Sequence, residues 1–224
     1  MEKEKKNRSE LLELIVVIML GVTAVATAWS SWQGSLHGSQ MAQKYTKSNN
    51  YASEGNSEYN AGIQSLTQDM MLYNEINGLM IDQHFAESRG DMDEAEKLEW
   101  KIDELFAGSV TEGMAQAFDW AMTETERRGE SVSPFDMDGY VDSYFETANE
   151  LLAESEEMLE EGNKNNTHGD NQGLVSVIYA VVLFLLGISS SFKGVREKYV
   201  LLVVSCIGFL AATIFMLTIP IVMP

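Results

Sequence analysis

The sequence predicts an all-α protein with three transmembrane helices and an extracytoplasmic helical bundle inserted between the first and the second of them. Two observations carry this prediction. Nearly continuous apolar runs cover residues 14–28, 174–188 and 199–222, and about 20 helical residues suffice to cross the hydrocarbon core of a bilayer. The polar region between the first two runs spaces its apolar side chains three to four residues apart, as amphipathic helices do.

The first two runs reach the length of a membrane span when they are extended to 11–29 and 173–191, and the last is long enough as it stands. On this basis we divide the chain into six segments. They are a cytoplasmic N-terminus (1–10), transmembrane helix 1 (11–29), an acidic extracytoplasmic helical domain (30–172), transmembrane helix 2 (173–191), a cytoplasmic loop (192–198) and transmembrane helix 3 (199–220).

Basic residues set the predicted orientation. They cluster before the first run and in the short loop between the second and the third, at Lys3, Lys5, Lys6, Arg8, Lys193, Arg196 and Lys198. Because short loops rich in Lys and Arg stay in the cytoplasm, both clusters are expected inside and the polar region outside. The chain is therefore predicted to be a multi-pass protein of the cell membrane, in contact with the lipid bilayer, with a cytoplasmic N-terminus.

A second interpretation of the first run stays open. A basic start, an apolar run and then Ala26-Thr27-Ala28 are also typical of a signal peptide that would be cleaved before Trp29. We favour a retained helix, because the polar run beyond Trp32 continues the phase of the membrane run without a proline. Trp29 and Trp32 are then placed where membrane helices carry an aromatic belt. Both interpretations put the middle of the chain outside.

The membrane runs contain small residues and almost no charge. Glu13, near the cytoplasmic edge, is the one charged residue that we place within them. Small residues allow helices to approach closely, and we expect them to pack within the chain, with self-association as the alternative. They are Gly21, Ala24 and Ala28 on the first helix, and Gly208 and Ala212 on the third.

The first outside helix is predicted to continue the first membrane helix. Residues 35–60 have a thin apolar seam that Gly55 and Asn56 weaken, and a sharper face follows. Arg89-Gly90-Asp91 should end this helix, since glycine readily adopts the left-handed conformation found after helices. The predicted buried face comprises Ile63, Leu66, Met70, Tyr73, Asn77, Met80 and His84.

Three further outside helices follow. Asp91 or Asp93 can cap a helix that runs to about Phe106, and Thr111 can cap the next, which closes at residues 127–129. Pro134 lies in a loop. The last helix is predicted over 138–161, followed by a flexible hinge over 162–171 that is rich in Asn and Gly. The expected buried faces are Ala95, Leu98, Ile102, Leu105 and Phe106; Ala115, Phe118, Met122 and Thr125; and Val141, Tyr144, Phe145, Ala148, Leu151, Leu152, Ser155, Met158 and Leu159.

The negative charge is concentrated in the outside region. Residues 30–172 contain 8 Lys or Arg and 29 Asp or Glu, whereas the whole chain has a net charge of −19. Such a surface argues against binding to nucleic acid or to anionic lipid headgroups. It is compatible with cationic partners or with a salty environment, and a simply solvated acidic surface is the plainest interpretation.

No pattern of catalytic or ligand-binding residues is evident. Cys206 is the only cysteine, so the chain can form no internal disulfide. His37, His84 and His168 lack the spacing of a zinc site, and the acidic residues 154–161 lack the central glycine of a calcium loop. We therefore predict no catalytic, cofactor-binding or metal-binding residues and no enzymatic activity. An enzymatic alternative would need a metal ion at the acidic helix.

Several short motifs resemble those of a family of uncharacterised prokaryotic three-pass membrane proteins. They are Ala28-Trp29-Ser30-Ser31-Trp32-Gln33, Gly38-Ser39-Gln40 with Tyr45, Ser133 to Tyr140, and Phe184 to Ser189. The family is marked by Ala-Trp-Ser-x-aromatic-Gln after a first membrane helix. The resemblance covers both ends of the chain and the region around Pro134. It implies an architecture and a location, favours an uncleaved first helix, and implies no activity.

The interpretation that we favour is a non-enzymatic, membrane-anchored interaction or accessory protein. Its outside bundle would contact a partner protein or respond to the outside. The alternative is a subunit of a small homo-oligomeric channel, since three spans are too few to enclose a pore in one copy. Co-purification with another protein would favour the first, and a ring of copies with ion flux the second.

Overall fold

The computed structural model describes residues 2–192 and 194–223, with side chains described from Glu10 onward. Helices make up 88% of the structure, and the described residues form no strand, which confirms the predicted all-α class. Lys193 lies outside the described residues, and so do the side chains of residues 3–8. The predicted orientation rests on these basic residues and stays a prediction.

Six α-helices follow one another along the described chain, together with one short 3₁₀ turn at Pro134–Asp136. The bounds are α1, Glu2–Ser88; α2, Met92–Gly108; α3, Glu112–Arg128; α4, Tyr140–Ser143; α5, Glu146–Ser189; and α6, Val195–Leu217. Three of them, α1, α5 and α6, contain stretches that are long and apolar enough to cross a membrane. The chain is therefore a helical protein compatible with a multi-pass membrane location.

The packing divides the chain into two compact units. The terminal unit comprises Met1–Ser48 and Glu156–Pro224, and the central unit comprises Asn49–Ser155. The terminal unit contains 10 Lys or Arg and 10 Asp or Glu, whereas the central unit contains 5 and 24. The whole net charge of −19 therefore belongs to the central unit.

The core of the terminal unit contains two apolar clusters and a buried lysine that is held in an ion pair. Lys198, which is 8% exposed, donates to Glu13 Oε1 over 2.6 Å. Burying a charged group is costly unless it is paired, so this contact explains how a lysine is accommodated there. Two clusters of buried side chains form the apolar core: Val16, Val182, Leu186 and Leu202, and Val175, Tyr179, Ala212 and Ile219.

The small residues that were expected to pack within the chain do so on α6 but not on α1. Ala212 is fully buried, and a Cβ at Gly208 would lie 3.1 Å from Val182 Cγ2, so this face packs within the chain as expected. Gly21 has no neighbour within 4 Å of such a Cβ, and Ala24 and Ala28 are exposed. The expectation of packing within the chain was wrong for these three, because α1 turns Thr23 and Ser30 inward instead.

The flexible hinge predicted over 162–171 is wrong, since α5 continues through it without a break. Asn and Gly disfavour helices by fractions of a kcal/mol to about 1 kcal/mol each, and packing against α1 outweighs that preference. Gly162 is buried beside the Tyr45 ring, where a Cβ would lie 2.5 Å from Tyr45 Cδ1. Gly169 similarly lies close to Gly34, with 3.5 Å between a Cβ and the Gly34 carbonyl oxygen. The small residues here permit close helix contact.

The end of α1 and both ends of α2 and α3 lie close to where the sequence predicts them. The Asp91 and Thr111 side chains accept hydrogen bonds from the backbone N–H groups of Glu94 and Met114, so each caps its helix. Gly90 and Gly129 have φ values of +76° and +72°, the left-handed conformation that follows helix ends. The main core cluster contains Ile76, Met114, Ala117, Phe118 and Tyr140, and a second contains Ala86, Ala95 and Leu98.

The buried face of α1 in the central unit differs from the predicted one. Ile63, Met70 and Met80 are between 43% and 48% exposed. Asn77 and His84 are exposed as well. The buried positions are instead Gly62, Asp69, Ile76 and Ala86, with Leu66 and Tyr73 half-buried. The predicted buried face was wrong because the residues that are buried on this helix include a glycine and an aspartate. A search for regularly spaced apolar residues does not select either of them.

The region predicted as one helix over 138–161 is divided between the short helix α4 and the beginning of α5. Gly139 has a φ of +76° and starts the short helix α4, and a turn at Tyr144 and Phe145 precedes α5. Of the predicted apolar stripe, Ala148 and Ser155 are buried and most of the others are half-buried, but Leu159 is 47% exposed, so its predicted position on the buried face was wrong. The turn is set by tertiary contacts, because both Tyr144 and Phe145 lie against Gly62 of α1.

Candidate functional site

Four polar side chains of the terminal unit are almost completely buried close to one another. Ser30, Gln33, His37 and Gln172 are each at most 1% exposed. The first three follow one another at intervals of three and four residues on α1, so they share one helix face. Buried polar groups destabilise a fold unless they find hydrogen-bond partners, and all four do.

Ser30 joins α1 to α5. Its Oγ lies 2.8 Å from both the backbone carbonyl oxygen and the side-chain Oε1 of Gln172. Beside it, Ser31 Oγ lies 3.2 Å from Ser176 Oγ. The Ala-Trp-Ser-x-aromatic-Gln motif thus contributes its serine to the packing of two helices.

Gln33 and His37 hold the segment that follows α6, residues 219–223, which we call the C-terminal strap. Gln33 Nε2 donates to the Val222 carbonyl oxygen over 3.1 Å, and the Val222 N–H donates to Gln33 Oε1 over 2.9 Å. His37 Nε2 lies 3.0 Å from the Pro220 carbonyl oxygen. The strap is therefore fixed through its backbone by two side chains of α1.

The other ring nitrogen of His37 is held as well. Its Nδ1 lies 3.1 Å from Asn165 Oδ1, and Asn165 Nδ2 donates to the Glu161 carbonyl oxygen over 3.0 Å. The ring centroids of His37 and His168 are 5.3 Å apart. The spacing of His37 and His168 along the chain, 131 positions apart, does not indicate this contact. His84 is exposed and belongs to the central unit.

A cavity of about 620 Å³ lies beside the strap. Its polar lining includes three lysines, Lys44, Lys47 and Lys164, and the rings of His37 and His168. Glu161 is its one acidic residue. Lys44 forms an ion pair with Glu161, and Lys164 forms one with Glu160 over 2.7 Å. Sequence reasoning missed this cavity. The signal that could have indicated it is the alignment of Ser30, Gln33, His37 and Lys44 on one helix face.

The central unit contains a different kind of concave surface, an apolar groove of about 340 Å³. Met122 lies in it and is 51% exposed, so its predicted position on the buried face of α3 was wrong. Met80 lines the same groove and is 43% exposed. The other apolar residues that line it are Tyr73, Phe106, Phe118, Ala121, Val132 and Pro134.

A buried aspartate is held by two tyrosines elsewhere in the central unit. Asp69, 6% exposed, accepts a hydrogen bond from Tyr140 Oη over 2.7 Å and another from Tyr144 Oη. The two hydroxyls lie 2.8 Å apart. Burial raises the pKa of Tyr144 to about 12 and that of Tyr140 further still, and the hydrogen bonds to Asp69 act in the same direction. This cluster fixes α4 to α1.

Metal-binding groups are not assembled in the part of the chain that the structure describes: no cluster of three or more His, Cys, Asp or Glu has suitable geometry. On the acidic residues 154–161 two carboxylates are already paired, Glu160 with Lys164 and Glu161 with Lys44.

Comparison with known proteins adds no functional information. No protein-family model, no curated protein and no solved structure matches the chain.

Proposed function

We propose that this chain is a non-enzymatic, membrane-anchored accessory protein of the cell membrane, whose central unit binds a cationic amphipathic helix of a partner protein. The terminal unit would be the anchor, with its N-terminus in the cytoplasm and the central unit outside. The observation that carries the proposal is an open, methionine-lined groove in a unit that holds the entire net charge of −19. We also propose, on the motifs described above, the three-pass family as its relatives.

The groove has the chemistry that receives an amphipathic helix. Grooves of this type take apolar anchors spaced three and four residues apart, and methionine side chains adapt to anchors of different shapes. Met80 and Met122 supply this surface, together with the Phe106 and Phe118 rings, whose centroids are 5.1 Å apart.

The charge of the central unit favours a basic partner. Glu126 lines the groove, and Arg127 and Arg128 both contact Glu124, at 2.6 and 2.7 Å, so these four side chains carry no net charge and the acidity comes from the rest of the unit. A helix with apolar residues on one face and Lys or Arg on the other would therefore meet an apolar groove on a unit of strongly negative net charge. An acidic helix would be repelled by the same field.

We expect a synthetic amphipathic peptide of Leu and Lys to bind the full-length protein in nanodiscs of zwitterionic lipid, above the level seen with empty discs. Replacing either groove methionine by Asn (Met80→Asn or Met122→Asn) should weaken binding about tenfold, since it removes apolar contact that is worth roughly 1–2 kcal/mol. Fluorescence anisotropy of the labelled peptide measures both.

Met71→Asn is the matched control, because Met71 is 68% exposed in the same unit and does not line the groove. This variant should bind like the wild type, and a peptide of Leu and Glu should not bind. Equal loss in the Met71 variant, or equal binding of the acidic peptide, would contradict the proposal. A ring of copies with ion flux would support the homo-oligomeric channel instead.

The proposed orientation predicts opposite labelling of two exposed serines. In a Cys206→Ala background, Ser131→Cys in the central unit should react with a membrane-impermeant maleimide on intact cells. Ser191→Cys, between α5 and α6, should react only after the membrane is permeabilised. Labelling of both positions, or the reverse pattern, would refute the orientation.

A further inference from the structure

We propose that the cavity beside the C-terminal strap is a binding site for a small anion that carries phosphate or carboxylate groups. Lys47 and Lys164 would contact the ligand directly, Lys164 by turning away from Glu160, whereas Lys44 would stay paired with Glu161 in the wall. This site belongs to the terminal unit and is independent of the groove and of its proposed partner.

The size of the cavity suits a small molecule. Ligand sites usually have volumes of roughly 300–1,000 Å³, and this one measures about 620 Å³. Its walls come from α1 and α5, and the strap closes one side through Pro220 and Val222. Since Gln33 and His37 fix the strap through its backbone, the third wall is held in place before any ligand binds.

The lining is more basic than the rest of the unit around it. The terminal unit contains 10 Lys or Arg and 10 Asp or Glu, yet three of those cations line this one cavity. Glu161 is the single acid among the lining residues. Lys44 is paired with Glu161 and Lys164 with Glu160, so the three lysines outnumber these two glutamates and the cluster keeps a net positive charge that attracts an anion.

Polar donors that suit an anion surround the lysines. The amide side chains of Gln40 and Gln43 also line the cavity, as does the His168 ring, whereas both ring nitrogens of His37 are engaged by Asn165 and Pro220. Lysine acts as a mobile point charge toward phosphate and carboxylate alike. The geometry therefore defines the ligand by its negative charge, which a soluble metabolite or the headgroup of an anionic lipid could supply.

The test uses the full-length protein in nanodiscs and titrates inorganic phosphate and citrate by calorimetry at constant ionic strength, with chloride as the reference salt. We expect saturable binding of at least one of the two anions in zwitterionic discs. Lys47→Gln and Lys164→Gln should each weaken it about tenfold, because each removes a charge-assisted hydrogen bond. Lys97→Gln and Lys101→Gln, in the central unit, should leave it unchanged.

Discs that contain phosphatidylglycerol distinguish the two sources of the anion. If the natural ligand is a lipid headgroup, these discs should abolish the binding of phosphate to the wild-type protein. If the ligand is soluble, phosphate should bind equally in both kinds of disc. The absence of saturable binding in zwitterionic discs, or binding that Lys47→Gln and Lys164→Gln do not weaken, would overturn the proposal.

Discussion

Replacing Gly62 by alanine is expected to lower the melting temperature of the central unit by about 5 °C or more. A Cβ at this position would clash with the backbone carbonyl oxygen of Tyr144 and lie 3.2 Å from the Phe145 ring. A backbone atom cannot rotate away, so α1 or the turn before α5 must move. Overpacking of this kind costs about 1–3 kcal/mol, and each kcal/mol shifts the melting temperature of such a domain by about 4–8 °C.

Gly78→Ala is the matched control, because Gly78 lies in the same helix and unit and a Cβ added there would have no neighbour within 4 Å. This variant should melt at or above the wild-type temperature, since alanine favours a helix over glycine by about 0.5–1 kcal/mol. Circular dichroism at 222 nm, recorded on the full chain in nanodiscs, measures both. Identical melting of the two variants would show that the Gly62 contact does not limit the packing.

The cluster of Asp69, Tyr140 and Tyr144 is expected to make the central unit unstable in alkaline solution. Both tyrosines have a raised pKa in the folded chain, to about 12 for Tyr144 and higher for Tyr140. Between the usual tyrosine pKa of about 10 and these values, the unfolded chain loses protons that the folded chain retains. The free energy of unfolding therefore falls as the pH rises through this window and is unaffected below it.

Melting temperatures recorded between pH 8 and pH 12 measure this loss. A double variant, Tyr140→Phe with Tyr144→Phe, should melt lower at pH 8, because Asp69 would be left buried without its two donors. Its alkaline decline should be shallower than that of the wild type. Tyr59→Phe is the control, since Tyr59 is 43% exposed and its ring contact with Phe145 needs no hydroxyl. An equally steep decline in the double variant would contradict this account.

The helical class and most of the helix ends are local properties, and the sequence predicts them well. Asp91 and Thr111 cap helices because their short side chains reach backbone N–H groups three residues ahead, which requires no distant partner. Gly90 and Gly129 end helices for an equally local reason. The apolar runs in α1, α5 and α6 likewise follow from composition alone. Each of these features can be predicted from a few neighbouring residues.

The register of the packed faces depends on the partner helix and could not be predicted in the same way. Gly62 and Asp69 form the buried seam of α1 because a backbone carbonyl and two tyrosine hydroxyls meet them there. Gly162 and Gly169 stay helical because α1 lies against them, although the residues around them predict a hinge. In both cases a contact that is distant in sequence outweighs a local preference of about 1 kcal/mol or less.

The sequence by itself determined that this chain is helical, that three of its segments suit a membrane, and that its negative charge is concentrated in the middle. Only the tertiary structure decided where the candidate sites lie. Gln33 meets Val222, which is 189 positions away, and His37 meets Pro220, which is 183 positions away. No periodicity in a single segment encodes such pairs, because they exist only where α1, α5 and the strap converge on one another.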